Sequence, residues 1–179
     1  MAARRLLADL AHAVRVFAEA DEEGLVEVWG RTPVFRLDQP SVTPFAGLPC
    51  AERPPRAYLL WTRVDGGEKV WELLWAADGL TEDHWPVVEV SEGGDANVLA
   101  ASASDYVDAL LYSGGLVGGG SEEDLENARS DASAEAVRLG DEIAEELDRA
   151  DVDLEALGER WEAAQERFGD RWFDAVEGE

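Results

Sequence analysis

The stretch from His84 to Leu111 constrains the fold most, because it carries the pattern of two strands and a helix with almost no residues between them. Its first part, Trp85 to Val90, is rich in β-branched residues and has a proline near its start, as an edge or opening strand often does. Gly93 and Gly94 can adopt positive φ at a hairpin reversal, and Asn97 to Ala100 returns the chain. The pattern predicts an antiparallel hairpin that leads directly into a helix.

Both ends of that helix are marked in the sequence. Ser102 and Asp105 form a Ser-x-x-Asp pattern, in which the hydroxyl caps the helix and the acid favours its positive end. Apolar residues then share one helical face, and a pair of glycines ends it. The face consists of Tyr106, Val107, Leu110 and Leu111, and the glycines are Gly114 and Gly115.

The Gly-Gly-Asp turn at 93–95, the strand ending in Leu-Ala and the helix that begins Ser104-Asp105-Tyr106-Val107 together resemble the SUKH superfamily, a group of small α+β immunity and interaction proteins. The family usually has Phe where Tyr106 stands and a bulkier residue than Val107. The resemblance covers Leu6 to Leu111, and everything after Gly120 lies outside it. It implies a non-enzymatic domain that binds a cognate toxin domain, often a nuclease, and blocks its active site.

The segments before this stretch predict the rest of an antiparallel sheet and a helix that packs on it. An amphipathic helix is indicated by Leu6, Leu7, Leu10, Val14 and Phe17. Leu25 to Trp29 suits a strand, and the prolines of Gln39 to Arg56 predict a long loop, either a functional flap or a stretch where alignment to a family fails.

The clearest hairpin joins Ala57–Val64 to Val70–Ala76 through Asp65-Gly66-Gly67-Glu68. Alternation places Leu59 and Trp61 on one face of the first strand, and it places Trp71, Leu73 and Trp75 on one face of the second. These tryptophans suit core packing under a helix, or else an exposed aromatic contact surface.

The C-terminal third predicts a helical hairpin after a flexible connection. Residues 1–113 form the predicted SUKH-like domain, 114–120 a Gly-rich linker and 121–179 an acidic helical hairpin. Ser121 and Asp124 cap one long helix that reaches Leu147, and a last helix starts at Leu154. The apolar stripes of the hairpin could be covered by the domain's own sheet, by each other or by another subunit. The predicted fold class is α+β, with a mostly antiparallel sheet, an N-terminal helix packed on it and this hairpin.

A formal charge of -25 opposes binding to nucleic acid or an anionic membrane, because phosphates would be repelled. A basic protein is the natural complement, although an acidic surface is also a common adaptation to the host. The lone cysteine, Cys50, excludes an internal disulfide and a cysteine-based zinc site. Residues 1–20 show neither a secretion signal nor a spanning segment, so we expect a cytoplasmic protein.

The residues favour no catalytic chemistry. His12 and His84 are distant in sequence and neither follows a nucleophile motif, so we expect no triad, no metal site and no cofactor. A carboxylate pair could be drawn from Asp65, Glu72, Glu89 and Asp95, which leaves an acid-catalysed hydrolase open. With 40 acidic residues in the chain, most carboxylates form a solvated surface instead.

We therefore predict a non-enzymatic immunity protein that neutralises a basic, nuclease-type toxin. The residues expected to contact the partner surround the organising turn and helix: Glu89, Glu92, Asp95, Asp105 and Asp108. The alternative is a structural or regulatory adaptor that forms a homodimer through its C-terminal helices.

Overall fold

The computed structural model describes residues 2–20, 29–40, 56–115 and 120–177. In this part of the chain, helices flank an antiparallel sheet of five strands. The helices are α1 (Ala3–Ala20), α2 (Ala103–Tyr112), α3 (Glu122–Asp131), α4 (Ala134–Glu146) and α5 (Leu154–Glu177). The strands are β1 (Thr32–Pro33), β2 (Ala57–Asp65), β3 (Glu68–Trp75), β4 (Val87–Ser91) and β5 (Ala96–Ala100), and a short 3-10 helix, Glu82–His84, precedes β4.

The strands pair in their order along the chain, so β1 and β5 are the two edges of the sheet. The β2–β3 turn uses Gly66 and Gly67 at φ 57° and 90°, which residues with a Cβ rarely adopt. Val70 lies opposite Ser91 in the β3–β4 register. The tips of the β2–β3 and β4–β5 hairpins therefore lie at the same end of the sheet.

One face of the sheet packs against α1, α2 and α4. The apolar stripe predicted for α1 is on this side, where Leu7 and Leu10 have no exposed surface. Tyr106 and Leu110 of α2 are likewise fully buried, and Ile143 joins them from α4. Full burial of each such side chain contributes about 1.5–3 kcal/mol. This layer contains most of the buried apolar residues in the described part of the chain.

The opposite face of the sheet packs against α5. The Trp75 ring meets Trp172 edge-on, with ring centroids 5.2 Å apart, and meets Phe168 with centroids 6.1 Å apart. Ala164 of α5 is buried in the same cluster beside β-strand residues such as Val88. The C-terminal helix thus covers aromatic surface that the sheet would otherwise expose.

The predicted fold class, α+β with an N-terminal helix on an antiparallel sheet, is confirmed. The start of α2 is also as predicted, since the Ser102 hydroxyl accepts from the Asp105 amide at 3.2 Å and donates to the Asp105 carboxylate at 2.7 Å. Gly114 and Gly115 follow its end at φ 69° and 91°. Of the predicted strand at 25–29, only Trp29 is described, and it is not in a strand; most of the predicted loop, 41–55, lies outside the described residues.

The prediction that Leu59 and Trp61 share a face was wrong. A β-bulge interrupts the β2–β3 register between them, and one extra residue reverses the alternation of side chains. Leu59 packs on the α5 side, whereas Trp61 is buried on the α1 side, with its ring centroid 4.6 Å from that of Phe35. Trp61 and Trp75 are core residues, and Trp71 is half-buried under the Lys69 ammonium.

The single long helix predicted to run from 121 to 147 is two helices. Ser121 caps α3 as expected, but Ala132 and Ser133 are extended, at ψ 151° and 149°. The Ser133 hydroxyl accepts from the Ala136 amide at 3.1 Å and so begins a new helix. The apolar residues keep their helical spacing across this break, so the sequence pattern does not reveal the second cap.

The predicted linker is described at three of its positions, Gly114, Gly115 and Gly120, all of which are buried. A Cβ at Gly115 would fall 2.5 Å from the Trp29 ring. The Trp29 indole in turn donates to the Ala136 carbonyl of α4 at 3.5 Å. These glycines allow close packing between the predicted domain and the C-terminal helices; the division of the chain into two domains stays a prediction.

Candidate partner-binding surface

The two hairpin tips enclose a polar cavity of about 160 Å³. Four carboxylates and one arginine line it, together with Ser91 and Asn97: the carboxylates are Asp65, Glu68, Glu89 and Asp95, and the arginine is Arg63. Because antiparallel strands alternate their side chains, polar residues from β2, β3, β4 and β5 converge here on one face of the sheet. Its negative charges outnumber its positive one.

Arg63 organises this cavity through three carboxylates. Its terminal nitrogens lie 2.6 Å from Asp65 and 2.7 Å from Glu89, and its Nε lies 3.5 Å from Glu72. Burial lowers the pKa of Arg63, but its hydrogen bonds to Asp65 and Glu89 outweigh that effect and raise the pKa above its ordinary value. Asn97 donates to the second oxygen of Glu89 at 3.2 Å, so this carboxylate is held on both sides.

Below the cavity, Glu72 is a fully buried carboxylate in the middle of β3. The Arg31 Nε donates to it at 2.8 Å, and the Tyr106 hydroxyl donates to its other oxygen. Burial raises the pKa of the Tyr106 phenol well above its usual range, and the nearby Glu72 charge raises it further. The phenol therefore stays protonated and acts as a donor. The cluster is closed to solvent and serves to bind the 29–31 segment to the sheet.

Two of the predicted contact residues, Glu92 and Asp95, are exposed on the β4–β5 turn. Glu89 lies two residues before this turn and is half-buried by its bonds to Arg63 and Asn97. The structure therefore brings Glu89 and Asp95 together in the cavity, with Glu92 beside it on the same turn.

The other two predicted residues, Asp105 and Asp108, are engaged inside the molecule. Arg160 of α5 donates to Asp105 at 2.8 Å, and Arg149 binds Asp108 through two bonds of 2.7 and 2.8 Å. Burial raises the pKa of Asp108 above its usual value even though the bonds from Arg149 lower it. These ion pairs attach α2 to the C-terminal segment. That the two acids contact a partner stays a prediction.

The C-terminal helix carries an acidic surface that was not among the predicted contact residues. Five exposed carboxylates recur at helical spacing on one side of α5, and we call them the α5 acid stripe: Glu155, Glu159, Glu162, Glu166 and Asp170. None of them forms an ion pair with another described residue. The signal was present in the sequence as acids spaced three or four apart, outside the apolar stripe of the same helix.

Among the described residues there is no group of histidines, cysteines and acids that could hold a metal ion. His12 and His84 are both exposed, on α1 and in the short helix before β4. Within the described residues we also found no helix with the length and apolar character needed to cross a membrane.

Comparison of the chain with protein-family models, with curated proteins and with solved structures found no match.

Proposed function

We propose that this chain is a non-enzymatic protein-binding domain that engages a basic partner through its acidic surface. Following the resemblance to SUKH proteins, we propose further that it is an immunity protein that neutralises a basic, nuclease-type toxin. The observation that carries the proposal is the α5 acid stripe, because its five carboxylates are exposed side by side and none of them forms an ion pair with another described residue.

The length and spacing of this stripe suit a partner that binds a row of phosphates. Glu155 and Asp170 are 15 residues apart, which on a helix is about 22 Å at 1.5 Å per residue. Neighbouring carboxylates are thus roughly 4.5–6 Å apart along the axis. A nuclease cleft that binds a run of phosphates offers a row of basic groups, and a row of fixed carboxylates complements it.

The net charge supports the same proposal, because it acts on a partner before the two proteins are in contact. The formal charge is -25, and just over half of the 40 acidic residues follow Gly120. A field of this sign attracts a basic protein from a distance, which raises the rate of association and makes binding sensitive to salt. Glu92 and Asp95 are further exposed acids, on the β4–β5 turn, and add to this field.

A self-associating adaptor is the weaker proposal. In that role the C-terminal helices would offer apolar stripes to a second subunit. In the described residues those stripes face inward, since Leu139 and Ile143 of α4 join the α1-side core and Phe168 and Trp172 of α5 pack on the sheet.

A carboxylate hydrolase is also less well supported. Glu72 and Glu89 are opposite each other in the β3–β4 register, but both contact Arg63, and Glu72 has no exposed surface. An acid–base pair needs access to substrate and to water, and Glu72 has neither.

Capture of partners from native lysate tests the proposal. The intact protein is immobilised at low salt, the bound proteins are identified, and the capture is repeated at high salt. We expect a basic partner with nuclease activity that is released at high salt and inhibited by the added protein. A captured nuclease that stays fully active when saturated with this protein would contradict the immunity role, and the absence of any salt-sensitive basic partner would contradict the binding role.

A further inference from the structure

Among the described residues, strand β5 is an edge of the sheet, and side chains rather than another strand lie against its outer side. An uncovered edge presents free backbone N–H and C=O groups to which a strand of another molecule can pair. In this protein the covering element is α5, which packs along β5 and buries Val98.

Two side chains of α5 bind the same backbone atom of this edge. The Trp161 indole N–H donates to the Val98 carbonyl at 3.1 Å, and the Gln165 amide donates to it at 2.5 Å. Residues four apart on a helix lie on the same side, so both reach the carbonyl together. A carbonyl oxygen has two lone pairs, and both are used here, so it cannot accept from an incoming strand.

Gly120 holds the Trp161 ring in this position. A Cβ at Gly120 would fall 1.9 Å from the indole, which is far inside van der Waals contact. Residue 120 is therefore a glycine because its backbone lies directly against the ring. The last glycine of the predicted linker has a packing role as well.

We propose that Trp161 and Gln165, together with Gly120, which packs against the indole, prevent β5 from pairing with β5 of a second copy of this chain. We call these three residues the edge guard. The occupant is a second copy because two identical edges can pair antiparallel around a twofold axis, each supplying the same groups to the other. The apolar run Val98-Leu99-Ala100 favours such pairing once the Val98 carbonyl is free to accept a hydrogen bond. In this arrangement the C-terminal helix opposes self-association.

Two kinds of variant test the guard by independent routes. Gly120→Ala displaces the indole, and Gly169→Ala on the same helix is its control, because a Cβ there meets nothing within 4 Å. The double variant Trp161→Phe with Gln165→Leu keeps apolar bulk but removes both donors. Its control is Glu145→Gln with Glu146→Gln, at exposed positions of α4 outside the α5 acid stripe.

The readouts are molar mass by light scattering across a concentration series and amide hydrogen exchange of the β5 segment. We expect the wild type and both controls to stay monomeric, and the double variant to double its mass with concentration while β5 amides become protected in the dimer. A folded double variant that stays monomeric would overturn the proposal, as would a dimer in which β5 gains no protection. If Gly120→Ala fails to fold, the double variant alone decides.

Discussion

The Nε of Arg31 lies 2.8 Å from Oε1 of Glu72, and both side chains are almost completely buried. The same arginine donates to the carbonyls of Trp29 and Gly115, so one guanidinium joins β3 to the turn that follows α2. A buried ion pair is costly to form, but it is much more costly to break on one side only, because the remaining charge loses its partner without regaining water.

Glu72→Gln should therefore destabilise the protein severely. The substitution keeps the shape of the side chain but leaves the Arg31 charge buried and unpaired, which costs about 3–5 kcal/mol in the free energy of unfolding. Urea denaturation measures the loss, with Glu68→Gln, exposed on the same strand, as a control that should change stability by less than about 0.5 kcal/mol. Replacing the buried polar set together, as Arg31→Met, Glu72→Leu and Tyr106→Phe, should recover much of the loss, because the Tyr106 hydroxyl also donates to Glu72. Equal effects at 68 and 72 would mean that the pair is not a significant part of the core.

Gly140 sets the distance between α2 and α4. A Cβ at this position would fall 2.3 Å from the Leu111 carbonyl oxygen, and a backbone atom cannot move away as a side-chain end could. Gly140→Ala should cost about 1–3 kcal/mol, because the two helices must separate. Gly169→Ala, in open space on α5, should instead stabilise by up to about 1 kcal/mol, since alanine is the better helix former. Thermal denaturation of the two variants shows whether each substitution lowers or raises stability. A Gly140→Ala variant as stable as the wild type would disprove the close contact.

Removal of the residues after Gly120 should prevent cooperative folding of what remains. The truncation uncovers Leu73, Trp75 and Val88 on one face of the sheet and removes Ile143 from the other. We expect a chain that aggregates or unfolds without a sharp transition, by circular dichroism and by light scattering. A soluble fragment with a cooperative transition would instead establish residues 1–120 as an independent domain.

The Arg4–Glu82 ion pair predicts a specific pH dependence of stability. Arg4 donates to Glu82 through its backbone amide at 2.9 Å and its side chain at 3.0 and 3.1 Å. Burial raises the pKa of Glu82, but these bonds from Arg4 lower it below its ordinary value overall. Since the folded carboxyl binds its proton more weakly than the unfolded one, the stabilisation is present above the unfolded pKa and is lost as pH falls through the folded pKa.

Glu82→Gln should therefore reduce the free energy of unfolding at neutral pH by at most about 1 kcal/mol, because the pair is partly exposed to solvent. Urea titrations at a series of pH values should show the difference from the wild type closing as the medium becomes acidic. Asp83→Asn, at the exposed neighbouring position, serves as the control. A difference that is constant with pH would rule out the carboxylate charge as its source.

Local signals in the sequence predicted the fold well. The Ser102 and Ser121 caps and the apolar face of α2 each depend on residues within a few positions of one another, and each is present in the structure. Of the two glycines predicted for the β4–β5 turn, Gly94 adopts a positive φ and Gly93 does not. The bulge at Leu59–Trp61 was not predictable, because nothing in the alternation of β2 indicates an extra residue.

The candidate site was predictable only where it depends on exposure at a turn. Glu92 and Asp95 are exposed as expected, but Asp105 and Asp108 are bound by arginines 55 and 41 residues further along the chain. Similarly, Glu72 meets Arg31 across 41 residues, and no local pattern distinguishes it from a solvated acid. Ion pairs with arginines distant in sequence determine which acids remain available to a partner, and these pairs follow from the tertiary packing.

The most direct test of the proposed function measures how the affinity for the captured basic partner depends on salt and on the α5 acid stripe. The partner is titrated with the wild type, with a stripe variant (Glu159→Gln, Glu162→Gln, Glu166→Gln) and with a charge-matched control (Asp9→Asn, Asp78→Asn, Asp83→Asn) whose exposed acids lie outside the stripe. We expect the stripe variant to bind at least about tenfold more weakly, a loss of about 1.4 kcal/mol, and to have a smaller salt dependence, while the control binds like the wild type. Equal affinities and equal salt dependence for all three proteins would contradict it.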